Sequence, residues 1–515
     1  MLGRPSNTLP LCSLCACLLA PGVARADLAG SYDELGLSSG RFSIGGYWRL
    51  QALTDFQGGN GRLGLSTLNG RLLNEGPYGI LMGRLMLVGS DRPSSTEPWA
   101  ALTLRVEGDS FLGTDAGNGS LANYAITNFG VDVGNLLLEN VTWRLGVIWY
   151  EPGDIDLYDM FPDDLFYGVA GASAFYRTET LELLVGLGDA GWDLHGANYD
   201  TVFTGGGWLR LHLGKHFQIA GGGQFGYEPD SPGNQNGPYQ TPGVSYIDFY
   251  RHTAAQSYFQ GLPSTIQPNP SLFPNPQPRS SQNWKLVGYA GVNGFGPLQW
   301  DNFFIHYLKQ PPQTSYQELY DGQTYNVYIH DLTDQDYELF MGNEANLTLW
   351  PRRLDLAIAG IYGVERNYAN TQVAGYDNYT FISGVARFQA YLTKTIHLLF
   401  ETSLAEEHSL NGNLFRDHQD SIFQNDYGVS DPLGLQFGDS PYRDTWQGKW
   451  GVVFNPNGRG IYNRPSLRFL YGLQYSTAQD AFQSGYVNNL NQYNQFVGPE
   501  QHWHSVAGIE TEGWF

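Results

Sequence analysis

The sequence predicts an all-β protein, an 18-stranded antiparallel transmembrane β-barrel with a constriction loop folded into the lumen. Three observations predict it. Segments of about ten residues, the length a tilted strand needs to cross hydrocarbon, alternate apolar and polar side chains with period two. Long and short connections alternate between these segments along the whole chain. The last segment, His502 to Phe515, puts Trp503, Ala507, Ile509 and Phe515 on one face and His504, Glu510 and Glu512 on the other. A barrel with lipid outside, water inside, tight turns at one end and long loops at the other has all three properties.

The start of the chain agrees with export. Arg4, the apolar stretch Leu9 to Ala20 and Ala24-Arg25-Ala26 form a basic n-region, a short h-region and a cleavage signal. Residues 1–26 are therefore expected to be a cleaved signal peptide, with the mature chain (27–515) a single barrel domain. The h-region is too short to span a bilayer. Cys12, Cys15 and Cys17 all lie in the leader, so the mature chain has no disulfide and no thiol chemistry. Acylation at Cys17 is the alternative, with Cys15 and Ala16 a poor lipobox. Of the 28 basic residues Arg4 and Arg25 leave with the leader, which puts the mature chain at −24 against 50 acidic residues. Phosphates need a basic surface, so nucleic acid is not an expected partner. No run of about twenty apolar residues follows the leader, so no transmembrane helix is expected. An exported soluble β protein and a membrane barrel remain.

Reading from Phe42, strands are expected at 42–53, 77–89, 97–108, 123–133, 142–151, 170–177, 180–189, 200–213 and 216–227. The second half continues with 283–293, 297–309, 336–350, 354–365, 379–393, 396–407, 444–455, 466–477 and 502–515. In 354–365, Leu354, Leu356, Ile358 and Tyr362 oppose Asp355, Ala357 and Ala359. In 396–407, Leu398, Phe400 and Leu404 oppose His397 and Glu401. In 466–477, Leu467, Phe469, Tyr471, Leu473 and Tyr475 oppose Arg468, Gly472 and Gln474. Short turns include Thr178-Glu179, Gly214-Lys215, Gly294-Phe295-Gly296, Pro351-Arg352-Arg353 and Lys394-Thr395. Long connections include 228–282, 310–335, 408–443 and 478–501. A soluble sandwich or propeller has no reason to keep that parity. An even strand number returns Phe515 to the side where the chain entered. The Pro-, Asn- and Gln-rich loop 228–282 cannot bury a core of its own and is read as external.

No nucleophile elbow, phosphate loop or H-E-x-x-H motif is present, so no catalytic residues and no cofactor are assigned. His502 and His504 share a strand face but lack the partners a metal needs. The connection 151–168 interleaves Asp154, Asp156, Asp159, Asp163 and Asp164 with Tyr158, Phe161, Phe166 and other aromatics. An exposed loop has no need of those aromatics. A loop folded into the lumen would pack them on the wall and turn its carboxylates to the water column. Sugars slide their apolar faces over aromatic rings while carboxylates and guanidinium groups bond their hydroxyls. By alternation Tyr47, Arg49, Arg71 and Trp514 face the lumen if Trp48 and Phe515 face lipid.

These segments resemble the maltoporin family of outer-membrane carbohydrate porins. Phe42-Ser43-Ile44-Gly45-Gly46-Tyr47-Trp48-Arg49 is similar to the family's first strand, and Arg71-Leu72-Leu73-Asn74-Glu75 to the motif before its second. Gly146 to Asp159 runs ungapped along its constriction-loop segment, and Arg464-Pro465-Ser466-Leu467-Arg468-Phe469 resembles a motif near its end. The resemblance implies a homotrimeric outer-membrane pore for passive diffusion of sugars or oligosaccharides, embedded in outer-membrane lipid. It implies an aromatic slide at Tyr47, Tyr78 and Trp514, with Tyr78 one residue from its match. The polar track and constriction would comprise Arg49, Arg71, Asp154, Asp156, Asp159 and Phe161. Pro152 stands in place of an arginine, Phe161 of a tyrosine and Leu392 of a slide tryptophan, which makes the slide incomplete and the constriction more acidic. The alternative expectation is a cation-preferring general diffusion porin without sugar specificity, from the net charge and the acidic loop. A barrel lipid hydrolase and a soluble β-rich binding protein are the readings from other classes.

Overall fold

The computed structural model describes residues 40–54, 63, 67–89, 93, 94, 96–109, 123–150, 153–162, 164–191, 201–228, 281–309, 313–320, 323–330, 337–366, 379–409, 442–477 and 503–514. The expected signal peptide, Pro152, Asp163, His502, Phe515 and the bulk of loops 228–282 and 408–443 lie outside these residues.

Twenty strands follow in order: β1 Phe42–Thr54, β2 Tyr78–Val88, β3 Trp99–Asp109, β4 Asn123–Gly134, β5 Val141–Tyr150, β6 Leu165–Arg177 and β7 Leu181–Asp189. Then come β8 Phe203–Leu213, β9 Phe217–Glu228, β10 Ser281–Phe295, β11 Leu298–Lys309, β12 Gln313–Tyr320, β13 Gln323–His330 and β14 Tyr337–Trp350. The last are β15 Leu354–Arg366, β16 Tyr379–Tyr391, β17 Ile396–Ser409, β18 Tyr442–Phe454, β19 Ser466–Ser476 and β20 Trp503–Trp514. Eighteen of them pair antiparallel, each with its neighbours in sequence, and β1 pairs with β20 from Tyr47↔Trp514 to Thr54↔Ala507. The sheet therefore closes on itself and has no free edge.

Two expectations needed correction. The connection 310–335 contains a separate hairpin, β12 with β13, that is not part of the barrel. The sixth strand starts at Leu165 rather than at 170. Leu165, Phe166 and Val169 are all fully buried, so this stretch lacks the one-sided alternation that marks the other strands.

Outside, the barrel is apolar. Ile44, Leu81, Leu85, Val185, Leu187, Leu209, Ile219, Leu286, Ile382, Leu404 and Phe469 are among the exposed side chains, one strand after another. Aromatics tile part of this surface: Phe388, Phe400, Trp450 and Tyr471 stand opposite one another on β16 to β19, their ring centroids 6.0–6.2 Å apart. The alternate positions point inward and carry Glu401, Lys449, Arg387, Gln447, Gln474, Glu510 and Glu512, all buried. This is the reverse of a water-soluble barrel, whose inside is apolar and whose outside is wet.

Two long connections turn into the lumen and explain how so many inward polar groups are satisfied. The described part of the β1–β2 connection, residues 63 and 67–77, lies against β16 to β20. Lys449 Nζ donates to Asn69 O at 2.9 Å and to Glu401 at 2.8 Å, Asn69 donates to Ser403, and Leu73 N donates to Glu510 at 2.8 Å. Leu63, Leu72 and Leu73 pack there with Leu399, Val453, Leu470 and Val506. The β5–β6 connection packs Ile155, Leu157 and Tyr158 on the opposite wall with Val287, Phe304, Phe340, Ala357 and Val385. The two meet where Arg71 N donates to Leu157 O at 2.9 Å. Gly70 sits at that crossing with φ +79°, and a Cβ there would lie 3.1 Å from Glu401 and 3.3 Å from Leu157 O. A third segment, the 455–465 turn between β18 and β19, also reaches in, placing Tyr462 Oη on Glu344. The inside is therefore partly a packed core, and open space is confined to what these segments leave.

Candidate functional site: a charged constriction beside an aromatic file

The site begins with register. Tyr47 on β1 stands opposite Trp514 on β20, and Arg49 stands opposite Tyr78 on β2. Side chains alternate, so all four point the same way, into the lumen, as expected from the sequence. The ring of Tyr47 lies 4.6 Å from that of Trp514 and 6.1 Å from that of Tyr78. Three rings from three adjacent strands thus form one file. Their polar handles are tied back: Tyr47 Oη donates to Glu512 and Tyr78 Oη to Glu107, each at 2.7 Å. Trp514, 38 % exposed, keeps the most open face.

The inserted β5–β6 connection supplies the other side. Residues 155–160 close a tight turn, with Ile155 N donating to Met160 O at 2.8 Å and Asp159 in the left-handed region at φ +55°. Asp tolerates that conformation better than most residues. Its apolar side chains face the wall, and its carboxylates meet the arginines. Asp159 is 3.0 Å from Arg49 and 3.6 Å from Arg71; Asp156 is 3.4 Å from Arg71 and 2.9 Å from Arg464. Glu512 binds Arg71 at 2.8 Å, Arg464 at 2.8 Å and Arg468 at 2.7 Å, and Arg49 also pairs with Glu75. Arg464 closes the set. Its guanidinium carbon lies 5.9 Å from the Tyr47 ring and 5.5 Å from the Trp514 ring, so the file and the ionic cluster are one structure.

The charges of the inward segments are set by their neighbours. Burial, and then the adjacent Asp156 carboxylate, push Asp154 up to about 7. Burial opposes ionisation of Asp156 too, but Arg71 and Arg464 outweigh it and hold that carboxyl below the ordinary range. Burial and then Asp159, which competes with it for Arg49, push Glu75 well up. On the inserted segment, Asp156 is therefore held ionised by its arginines, while Asp154 is poised to change charge near neutrality.

Of the nine residues singled out from the sequence, Tyr47, Tyr78, Trp514, Arg49, Arg71, Asp156 and Asp159 come together here. Asp154 joins them through the charges it feels, whereas Phe161, 43 % exposed, makes no ring contact with the file among the described residues. Arg71 is not on a strand; it is placed by the inward connection, just after the short 3-10 turn Thr67–Asn69. Leu392 lies in the β16–β17 turn, exposed and away from the file. His504 is buried on the inward face. Sequence reasoning left Glu75, Glu107, Arg464, Arg468 and Glu512 out of the site. It also missed the adjoining wall, where Arg105 stacks 3.8 Å over Trp149 and pairs with Glu107 at 2.5 Å, and Arg144 pairs with Asp132 at 3.2 Å.

No family model matches the chain, and no curated protein matches it in sequence. Solved structures do match. OprD of Pseudomonas aeruginosa is 7 % identical, covering 95 % of this chain and 98 % of its own, with a TM-score of 0.40. OccAB1 of Acinetobacter baumannii is 9 % identical over 93 % and 97 %, with a TM-score of 0.41. The outer-membrane expressed OmpT of Vibrio cholerae is 9 % identical over 93 % and 99 %, with a TM-score of 0.33. The fold assignment rests on the strand pairing rather than on these likenesses, and the resemblance to maltoporins rests on its short motifs.

Proposed function

We propose that the chain is an outer-membrane pore through which sugars or short oligosaccharides diffuse passively. The observation that carries this reading is the file Tyr78, Tyr47 and Trp514 running beside the Arg49, Arg71, Asp156, Asp159 and Arg464 cluster. Ring faces suit the apolar faces of pyranoses, and the paired guanidinium and carboxylate groups suit their hydroxyls. The apolar outer wall and closed sheet support insertion in a bilayer with the short turns on the periplasmic side. A homotrimer and a cleaved leader belong to the same reading. No hydrolytic role is assigned, because the lumen cluster is a set of ion pairs without a nucleophile and base.

Liposome swelling tests it. Proteoliposomes are expected to swell in mono- and disaccharides and to exclude a large polysaccharide; swelling no faster than in empty liposomes would overturn the pore. The second reading, a cation-preferring general porin, draws on the net charge and the aspartates of the 153–162 segment. Reversal potentials in a salt gradient separate the two, since anion preference excludes it.

A further inference from the structure

The rim formed by the short turns carries its charge unevenly. Three consecutive turns, 351–353, 392–395 and 455–460, hold Arg352, Arg353, Lys394 and Arg459, all exposed, and contain no Asp or Glu. In a chain with 50 acidic and 28 basic residues, that is a strong local inversion. Elsewhere on the rim the turns 135–140 and 178–180 carry Glu139 and Glu179 and no base. The three basic turns form one continuous arc. Tyr391 N donates to Arg353 O at 2.9 Å and Asn455 N to Thr395 O at 2.8 Å, and Lys394 lies along Gly458, whose Cβ would be 3.5 Å from Lys394 Cε.

Bordering this arc is the outward apolar wall. Leu349, Trp350, Leu392, Ile396 and Phe454 are exposed at the strand ends that meet these turns, and Leu398, Phe400, Val452 and Trp450 continue the surface up the barrel. A row of cations at the edge of a hydrocarbon-facing surface matches an amphiphile with acyl chains on one side and a negative phosphate at the boundary. A purely soluble anion would leave the apolar half of this surface without a partner.

We propose that the sector over β14 to β19 binds the headgroups of anionic phospholipids in the leaflet at the short-turn end. It rests on the reading of the chain as a membrane barrel. The arc offsets the repulsion that a protein of this net charge exerts on an anionic lipid. It selects that lipid over a zwitterionic one, whose ammonium group brings a positive charge to the same cations.

Electron spin resonance on the full chain, reconstituted in phosphatidylcholine bilayers with trace spin-labelled phosphatidylglycerol or phosphatidylcholine, tests this by the fraction of each label immobilised at the protein. The wild type is expected to prefer phosphatidylglycerol by roughly fivefold, with the preference collapsing in 1 M salt. The quadruple variant R352Q/R353Q/K394Q/R459Q is expected to fall to near unity, and K215Q, on another part of the rim, to keep the wild-type ratio. The four single variants, each expected to lose part of the preference, test the same point if the quadruple variant does not fold. A wild-type ratio of one, or an undiminished ratio in the variants, overturns the proposal and leaves the arc to a soluble polyanion or to no partner. Channels recorded from the same proteoliposomes keep the two readings apart: lipid preference can fail while the pore stands, whereas failure to enter bilayers would remove both.

Discussion

Replacing Arg464 with alanine is the most informative single perturbation of the constriction. Arg464 is 11 % exposed and ties together three parts of the chain: Asp156 on the inserted segment at 2.9 Å, Glu512 on β20 at 2.8 Å, and its own 455–465 turn. Breaking a buried ion pair by removing one partner costs about 3–5 kcal/mol, because it leaves a buried charge uncompensated. Here the loss is smaller. Glu512 retains Arg71 and Arg468, and Asp156 retains Arg71 at 3.4 Å. We expect Arg464→Ala to lower unfolding free energy in detergent by about 2 kcal/mol. Arg464→Lys should recover part of it, since an ammonium restores the charge but not the forked geometry. Because Asp156 loses one of its two arginines, the inserted segment is held less firmly. Single-channel currents of the alanine variant should become noisier and more cation-selective than those of the wild type. Denaturant titration followed by tryptophan fluorescence, paired with bilayer recording, reads both effects. A stability change under 0.5 kcal/mol together with unchanged current noise and selectivity would refute the reasoning, since Arg464 would then be a solvated turn residue.

Three further outcomes follow from the same geometry. Asp154 is neutral below its pKa of about 7 and ionised above it, so cation over anion permeability should rise between pH 6 and 8 and stay flat in Asp154→Asn. Its raised pKa also means that the stability associated with the neutral form is fully present below about pH 4 and is lost as pH rises through 7, a slope the same variant should flatten in denaturant titrations. Arg49→Gln removes the cation shared by Glu75 and Asp159; a unit charge near 4 Å in water is worth ~1 kcal/mol, so reversal potentials should report about a fivefold gain in cation preference. Gly472→Val would drive a side chain into Leu63 and Leu73, whose Cδ1 atoms lie 2.4 and 2.7 Å from an added Cβ. Overpacking of that kind costs about 1–3 kcal/mol, and limited proteolysis should show faster cutting in 63–75 while the heat-shifted gel band of the barrel persists.

The barrel was legible because a wall with lipid-like and water-like sides forces period-two alternation on every strand. Leu467, Phe469 and Tyr471 against Arg468 and Gln474 is that rule written in residues. It failed where the rule fails physically. Leu165, Phe166 and Val169 are covered by inward-folded chain, so both kinds of position there carry buried apolar residues. The inward aim of 153–162 was legible from carboxylates interleaved with aromatics, which a solvated loop does not need. The same kind of signal was present in Arg71-Leu72-Leu73-Asn74 and went unread, although that segment folds in just as firmly. Arg464 was harder to find. A turn arginine looks solvated in a single sequence, and only the register of β19 on β20, with Ser466 opposite Glu512, brings Glu512 beneath it. The hairpin β12–β13 lay in a stretch already assigned to loop, where pairing outside the wall leaves no mark on strand parity.

The central claim is that an aromatic file beside a charged constriction guides sugars through the lumen. Single-channel current in planar bilayers with a linear oligosaccharide added to one side tests it most directly. The account predicts steady open steps that the sugar interrupts reversibly, with the interruptions shortened about two- to tenfold in Trp514→Ala, which deletes the most open ring and its stacking energy of about 0.5–1.5 kcal/mol. Open channels that no sugar interrupts, or interruptions indifferent to Trp514, would contradict it.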